Sequence, residues 1–456
     1  MAAEHAERTG HAARPADPTG LDGLAGLAGL DDEVVDHRFK GLPPDAAGLT
    51  VGALAAERRN VFTGGFTTPL LTLSAGAVEH NLRQLAGFCA RHGLALAPHG
   101  KTSMSPRLFA RQLGLGAWGI TAALPAQARV YRAFGIRRIF LANEVVDAAA
   151  LRWMASELAA DPEVRFVCYV DSVRGVELMD AALRAAAHAA DAARPATARL
   201  LDVVVELGAP GGRTGVRTAA EAARVAEAVA AVPTLRLVGV AGYEGEVPDA
   251  DADRVRAWLR DLGALAAALD AAGRFAGLGD GEEIVVSAGG SAWFDVVAEE
   301  FAALPGLSRP VLRLLRSGAY VAHDDVHYHR LTPFNRIPDQ GSLRPAFRLW
   351  AQVVSRPEPG LAFLNAGKRD ASYDLDLPRP VAVRAPDGTE RGAAGLSVVK
   401  LADQHAFLTV APGTALEVGD WVALGLSHPC TVFDRWQLIP VTEADGTVTD
   451  FVRTFF

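Results

Sequence analysis

Between Leu94 and Arg316 the sequence alternates short apolar runs with longer stretches rich in Ala, Arg and Glu. This rhythm constrains the fold more than any other feature. The apolar runs read as strands at Leu94–Pro98, Ala117–Ala122, Arg138–Asn143, Val164–Asp171, Leu200–Leu207, Leu235–Tyr243, Glu283–Ser287 and Val311–Arg316. The stretches between them carry helical periodicity. Strand–helix alternation of this kind predicts a parallel sheet covered by helices. Eight strands over about 220 residues match the count and size of a (β/α)8 TIM barrel. An open doubly wound sheet is the alternative. No G-x-G-x-x-G follows the first strand, which argues against a dinucleotide-binding version. After about Ala319 the helical pattern fades. FRLWAQVVS, RPVAVRA, HAFLTV and DWVALGL, separated by Pro and Gly, predict a C-terminal β domain.

Charge narrows the possible partners. Charged residues make up 21% and the formal net charge is −8. Such a chain has no general attraction to nucleic acid or to anionic membranes. The three cysteines, Cys89, Cys168 and Cys430, are far apart, so no disulfide framework is expected. That suits a reducing, cytoplasmic setting. Residues 1–30 lack a basic start followed by an apolar core, and GLAGLAGL is too short and Gly-rich to span a membrane. Together with the residues up to 45 they read as a flexible N-terminal tail.

In a barrel, catalytic groups sit just after the strands, at their C-terminal ends. The residues found there include His99-Gly100-Lys101-Thr102, Asn143-Glu144, the Gly-rich run Gly208–Gly215, Glu244-Gly245-Glu246, and Ser317-Gly318-Ala319-Tyr320. After the seventh barrel strand comes SAGGS, Ser287–Ser291. A small Gly-rich loop before a helix can offer backbone N–H groups to a phosphate. The loops after strands seven and eight are where barrels commonly hold one. The chain has only four lysines, Lys40, Lys101, Lys368 and Lys400. Lys101 alone falls at a barrel strand end, in the low-charge setting APHGKTSMSP. A desolvated lysine forms Schiff bases. A phosphate loop together with such a lysine points to pyridoxal 5'-phosphate.

The stretch TPLLTLSAGAVEHNLRQLAGFCARHGLALAPHGKTSMSP resembles the opening of the D-serine dehydratase and D-threonine aldolase family, fold-type III enzymes akin to alanine racemase. The resemblance continues through LANEVV, ELGAPGGRTGV, GYEGE, SAGGSAWFD, RSGAYVAHDD and HPCTVFDRWQLIPV, over about residues 65–456. It implies that Lys101 carries the cofactor. Arg213 and Tyr243 would face the ring, and Thr121 would lie nearby. Ser287, Gly289, Gly290, Ser291 and Tyr320 would hold or approach the phosphate. It also implies a homodimer.

His428-Pro429-Cys430 is the second chemical motif. On an extended segment residues i and i+2 point to one side, and His with Cys favours zinc. By resemblance, His-x-Cys with zinc marks the dehydratase branch, and His-x-Asp with manganese or a similar ion marks the aldolases. The stretch His323–His329 is a candidate supporting shell, and Asn365 stands where the dehydratases often have aspartate. The expected layout is a tail over 1–45, a cofactor-binding barrel over 65–318, and a β domain from 46–64 and 319–456 that carries the metal motif. The expected activity is zinc-assisted loss of water from a D-β-hydroxy amino acid, as in D-serine dehydratase. The alternatives are a D-threonine or 3-hydroxyaspartate aldolase, a 3-hydroxyaspartate dehydratase, and a non-enzymatic pyridoxal-phosphate homeostasis protein.

Overall fold

The computed structural model describes residue 24, residues 26–191 and residues 200–456. The first part of the expected tail, residues 1–23 and 25, lies outside the described residues. In chain order the strands begin with β1 (Leu70–Ser74), β2 (Ala95–Leu96), β3 (Ile120–Ala122), β4 (Arg138–Glu144) and β5 (Arg165–Val170). They continue with β6 (Leu201–Leu207), β7 (Leu235–Gly242), β8 (Ile284–Ala288) and β9 (Val311–Leu315). Strands β2 to β9 form an eight-stranded parallel sheet. Its ends meet: the Trp118 N–H donates to the Leu96 carbonyl at 2.7 Å and the Thr121 N–H to that of Pro98 at 2.9 Å. The sheet is therefore a closed (β/α)8 barrel.

The strands read as continuous apolar runs because both faces are covered. In β6 every residue from Leu201 to Glu206 is buried. The helices start where short polar side chains can satisfy free N–H groups. Asp147 caps Ala148–Ala160, Asp251 caps Ala252–Ala271, and Thr218 with Glu221 forms a capping box on Ala219–Ala230.

Two boundaries differ from the sequence expectation. β1 does not belong to the barrel. It pairs antiparallel with Phe347–Glu358, with Leu70 opposite Trp350, and parallel with Leu438–Thr442. Its four apolar or β-branched residues are buried in the sheet of the second domain, so the chain starts in that domain before entering the barrel. The second difference concerns residues 26–45, which pack rather than trail. Val35, Phe39 and Leu42 are buried in one cluster with Leu70, Trp350 and Phe451. Glu33 pairs with Arg453 at 2.8 Å and Lys40 with Asp370 at 2.8 Å. Three apolar residues in this short stretch give it a face to bury, which its Gly-rich beginning conceals.

The β domain is a ten-stranded sheet that includes β1. The chain end ties it to the barrel. The Phe455 N–H donates to the Met104 carbonyl at 3.0 Å, and Phe134 and Phe455 pack edge to face at 5.1 Å. Met104 lies three residues after Lys101, so this contact braces the lysine turn.

Candidate active site

A cavity of about 810 Å³ opens at the C-terminal end of the barrel, where the β domain overhangs it. Lys101 lines it from a single 3-10 turn, Gly100–Thr102. The turn is held by Met104 N–H donating to the Gly100 carbonyl at 2.8 Å. Gly100 has no room for a side chain, because a Cβ there would lie 2.5 Å from the Tyr131 hydroxyl. Burial pushes the Lys101 ammonium below its usual range; nearby Cys430 opposes this, while Arg213 and Arg316 add to it. A lysine that loses its proton more readily is a better nucleophile and base. Lys368 does not line the cavity and sits over the Tyr373 ring at 5.4 Å.

Arg213, Tyr243, Gly289, Gly290 and Ser291 also line the cavity, with the Arg213 guanidinium 5.3 Å from the centre of the Tyr243 ring. Thr121 lies nearby, bridged to the wall residue His99, while Ser287 and Tyr320 do not face the cavity. Thr121 is buried in β3 and donates to the Ala97 carbonyl at 2.6 Å. Ser287 is buried in β8, donates to the Leu314 carbonyl at 2.9 Å and accepts from Arg316. Tyr320 turns away from the mouth, and its hydroxyl accepts from Gln112 at 3.0 Å. In each case alternation along a strand, or a short turn, aims the side chain at the neighbouring element. The Gly loop also differs from expectation. The N–H groups of Gly289 and Gly290 donate to the Glu244 carboxylate at 2.9 and 2.6 Å. Those two amides are already satisfied. Gly289, at φ +104°, supplies a backbone turn and a bare wall.

Of the remaining wall residues, His99 and Asn143 belong to the strand-end motifs noted above, while sequence reasoning does not single out Tyr169, Glu206, Arg316 or Tyr328. Arg316 directly follows the last barrel strand, next to the motif Ser317-Gly318, and position alone could have marked it. Its guanidinium donates to the Gly242 carbonyl at 2.6 Å and lies 5.8 Å from the Tyr169 ring. His99 Nδ1, the Tyr169 hydroxyl and Glu206 Oε2 are buried without a hydrogen-bond partner. Burial, with the charges of Lys101 and Arg316, holds His99 neutral, well below its usual range. Unpaired buried polar atoms around a cavity are what a polar ligand would satisfy.

At one edge of the mouth, Glu144, Asp171 and Glu206 bring carboxylate oxygens within 4.8 Å of one another. Burial, and then the charge of Glu206, pushes the Glu144 carboxyl up to about 9. Close carboxylates that cannot all ionise hold a proton instead. A cation could also meet this group, but the oxygen-only donor set differs from the sulfur and nitrogen set across the cavity.

His428 and Cys430 both line the cavity, on the β-domain side. They meet by a different route from the extended segment expected. His428 is left-handed, at φ 51°, and Pro429–Thr431 forms a 3-10 turn. Interaction with the neighbouring Cys430 side chain, and then with Asp374, raises the His428 imidazole to about 9 against the opposing effect of burial. His428 Nδ1 lies 2.5 Å from Asp374 Oδ2, and Cys430 Sγ lies 3.3 Å from the Thr102 hydroxyl. Asp324 accepts from the His428 N–H at 3.0 Å, so the His323–His329 stretch does support the motif. A carboxylate on one imidazole nitrogen fixes the ring and leaves Nε2 for a cation. This donor set fits zinc. Asn365 instead holds backbone, donating to the Thr68 carbonyl at 3.0 Å.

Residues 73–292 match the family described as "Alanine racemase, N-terminal domain", and residues 346–442 match "Putative serine dehydratase domain". The chain belongs to the fold-type III, alanine racemase-like family of pyridoxal-phosphate enzymes. It is 27% identical to the D-threonine aldolase of Arthrobacter sp over 385 residues, covering 84% of this chain and 90% of that one. It is 27% identical to the 3-hydroxy-D-aspartate aldolase of Paracoccus denitrificans (strain Pd 1222) over 397 residues, covering 86% and 93%. The solved D-threonine aldolase from Filomicrobium marinum superposes with a TM-score of 0.69 at 26% identity, covering 86% of this chain and 95% of that one. The half-buried lysine, the polar cavity and its unpaired atoms fit the cofactor of a fold-type III enzyme. Among the described residues, no helix is long and apolar enough to cross a membrane.

Proposed function

We propose that this chain is a pyridoxal-phosphate- and zinc-dependent lyase that removes water from a D-β-hydroxy amino acid, with D-serine as the reference substrate. The observation that carries the reading is the shared cavity: a half-buried lysine on one wall and a His/Cys donor pair on the other, linked through Thr102 and Cys430 at 3.3 Å. Pyridoxal phosphate, when bound, supplies an electron sink that makes a Cα proton removable. Lys101 would hold it and, once freed, its Nζ would take that proton. Arg213, Tyr243, Ser291 and the Gly289–Gly290 backbone would orient it. His428 and Cys430 would hold zinc, which supplies Lewis acidity for a leaving β-hydroxyl. Asp374 keeps the His428 ring in place. The substrate loses water and is then hydrolysed, so D-serine would yield pyruvate and ammonium.

Both curated relatives described above are named for D-configured substrates, which supports that stereochemistry. Both names also favour a second reading, Cα–Cβ cleavage to glycine and an aldehyde. Product analysis over a panel of D- and L-β-hydroxy amino acids separates the two. A 2-keto acid with ammonium supports elimination; glycine with an aldehyde overturns it. We also propose a cytoplasmic homodimer. The exposed apolar side chains Tyr373, Leu375 and Leu377 beside Asp374 support a second copy at this edge. Light scattering at micromolar concentration should give twice the 47.9 kDa chain mass.

A further inference from the structure

Glu244 is fully buried and lies behind the cavity wall rather than on it. It starts the turn after β7, yet both of its carboxylate oxygens accept from the loop after β8: Oε2 from Gly289 N–H at 2.9 Å and Oε1 from Gly290 N–H at 2.6 Å. The same loop is held from the opposite side, where the Ser317 hydroxyl donates to the Gly290 carbonyl at 2.7 Å. Ser317 follows β9, so the ends of β7 and β9 together grip the glycine pair that follows β8. The fit is close. A Cβ on Gly290 would lie 2.6 Å from the Tyr243 ring, and one on Gly289 would lie 2.1 Å from Leu315.

A buried carboxylate needs compensating hydrogen bonds, and the two amides supply them. The amides are in turn withdrawn from any ligand in the cavity, while the backbone edge of Gly289, Gly290 and Ser291 still faces it. The loops after these last two barrel strands are where a barrel holds phosphate.

Resting on the cofactor reading above, we propose that Glu244 is a positioning residue for the cofactor's phosphate. It does not touch the phosphate. With Ser317 it fixes the orientation of the Gly289–Gly290 loop before the cofactor arrives, so the chain pays no loop ordering on binding. The aldehyde-bearing ring would be held elsewhere, by Lys101. Losing Glu244 should therefore weaken phosphate recognition while sparing the ring.

The test compares apoprotein of the wild type, Glu244→Gln and Ser317→Ala. Each is titrated with pyridoxal phosphate and with pyridoxal, which lacks the phosphate, by quenching of tryptophan fluorescence. Glutamine at 244 keeps the size but turns an amide donor toward one of the two backbone N–H groups. We expect Glu244→Gln to weaken pyridoxal phosphate about tenfold or more and to leave pyridoxal within about twofold. Ser317→Ala should shift the same ratio in the same direction by less. An unchanged ratio in both variants, or an equal loss of both ligands, overturns the proposal. If Glu244→Gln does not fold, the ratio in Ser317→Ala decides it. A wild type that binds neither ligand contradicts the cofactor reading itself.

Discussion

The two walls of the cavity are built in different ways. The barrel wall rests on regular strands. Lys101, Tyr243, Gly289 and Arg316 each lie at or just beyond the end of a parallel strand, and the barrel fixes their spacing. The β-domain wall rests on irregular backbone. His428 is left-handed and held by the carboxylates of Asp374 and Asp324, and Cys430 sits in the 3-10 turn that follows, against the Thr102 hydroxyl. A wall of strand ends tolerates loss of a neighbouring side chain. A wall of turns is held by its polar contacts and should fail when one is cut. The walls should also fail differently, the first by losing the cofactor and the second by losing only the chemistry of the leaving group.

The largest effect is expected on the barrel wall. Lys101→Ala should lower turnover by about 10³-fold or more and abolish the visible absorbance of covalently held cofactor. Lys368→Ala should change neither, as absorbance and steady-state rates would show. Next, Cys430→Ala should cost about 10²–10³-fold in elimination, because Lewis-acid assistance is worth several kcal/mol. Cofactor absorbance should persist in that variant, and its loss would mean that the walls are not separable. Asp374→Asn should weaken zinc about 10–100-fold, measured by competition with a chelator, with the cofactor affinity unchanged.

The smallest effect is expected in stability. In the folded chain the Glu144 carboxyl titrates at about 9, against 4.5 for an ordinary glutamate. Between those values the folded state holds a proton that the unfolded chain has released. Stability should therefore fall as pH rises through this window. Glu144→Gln removes the titration, so the melting temperature of the apo variant should decline less from pH 5 to pH 9. An identical decline in the wild type and the variant would show that Glu144 does not hold the proton.

The contrast between the walls also explains what the sequence could reveal. The barrel was legible because eight apolar runs keep one rhythm, and because only one of four lysines falls at a strand end. Ser287 and Tyr320 turn away from the cavity because a motif marks a strand end without saying which way each side chain turns. Glu244 stood in the motif GYEGE, but its grip on Gly289 and Gly290 crosses 45 and 46 residues. Nothing local signals such a contact. Arg316 stood in plain view, directly after β9. At the metal motif the residue types were informative and the backbone was not, since a left-handed histidine has no sequence signature of its own. Asp374 lies 54 residues from His428 and is joined to it only by the fold.

The central claim is that one cavity holds a cofactor wall and a metal wall that act separately on the same substrate. The most direct measurement is to strip the loaded enzyme with EDTA and follow D-serine and other D-β-hydroxy amino acids. The visible absorbance of the cofactor should remain, production of 2-keto acid and ammonium should stop, and added zinc should restore it. Metal-stripped enzyme that still forms the 2-keto acid at the full rate would contradict the account.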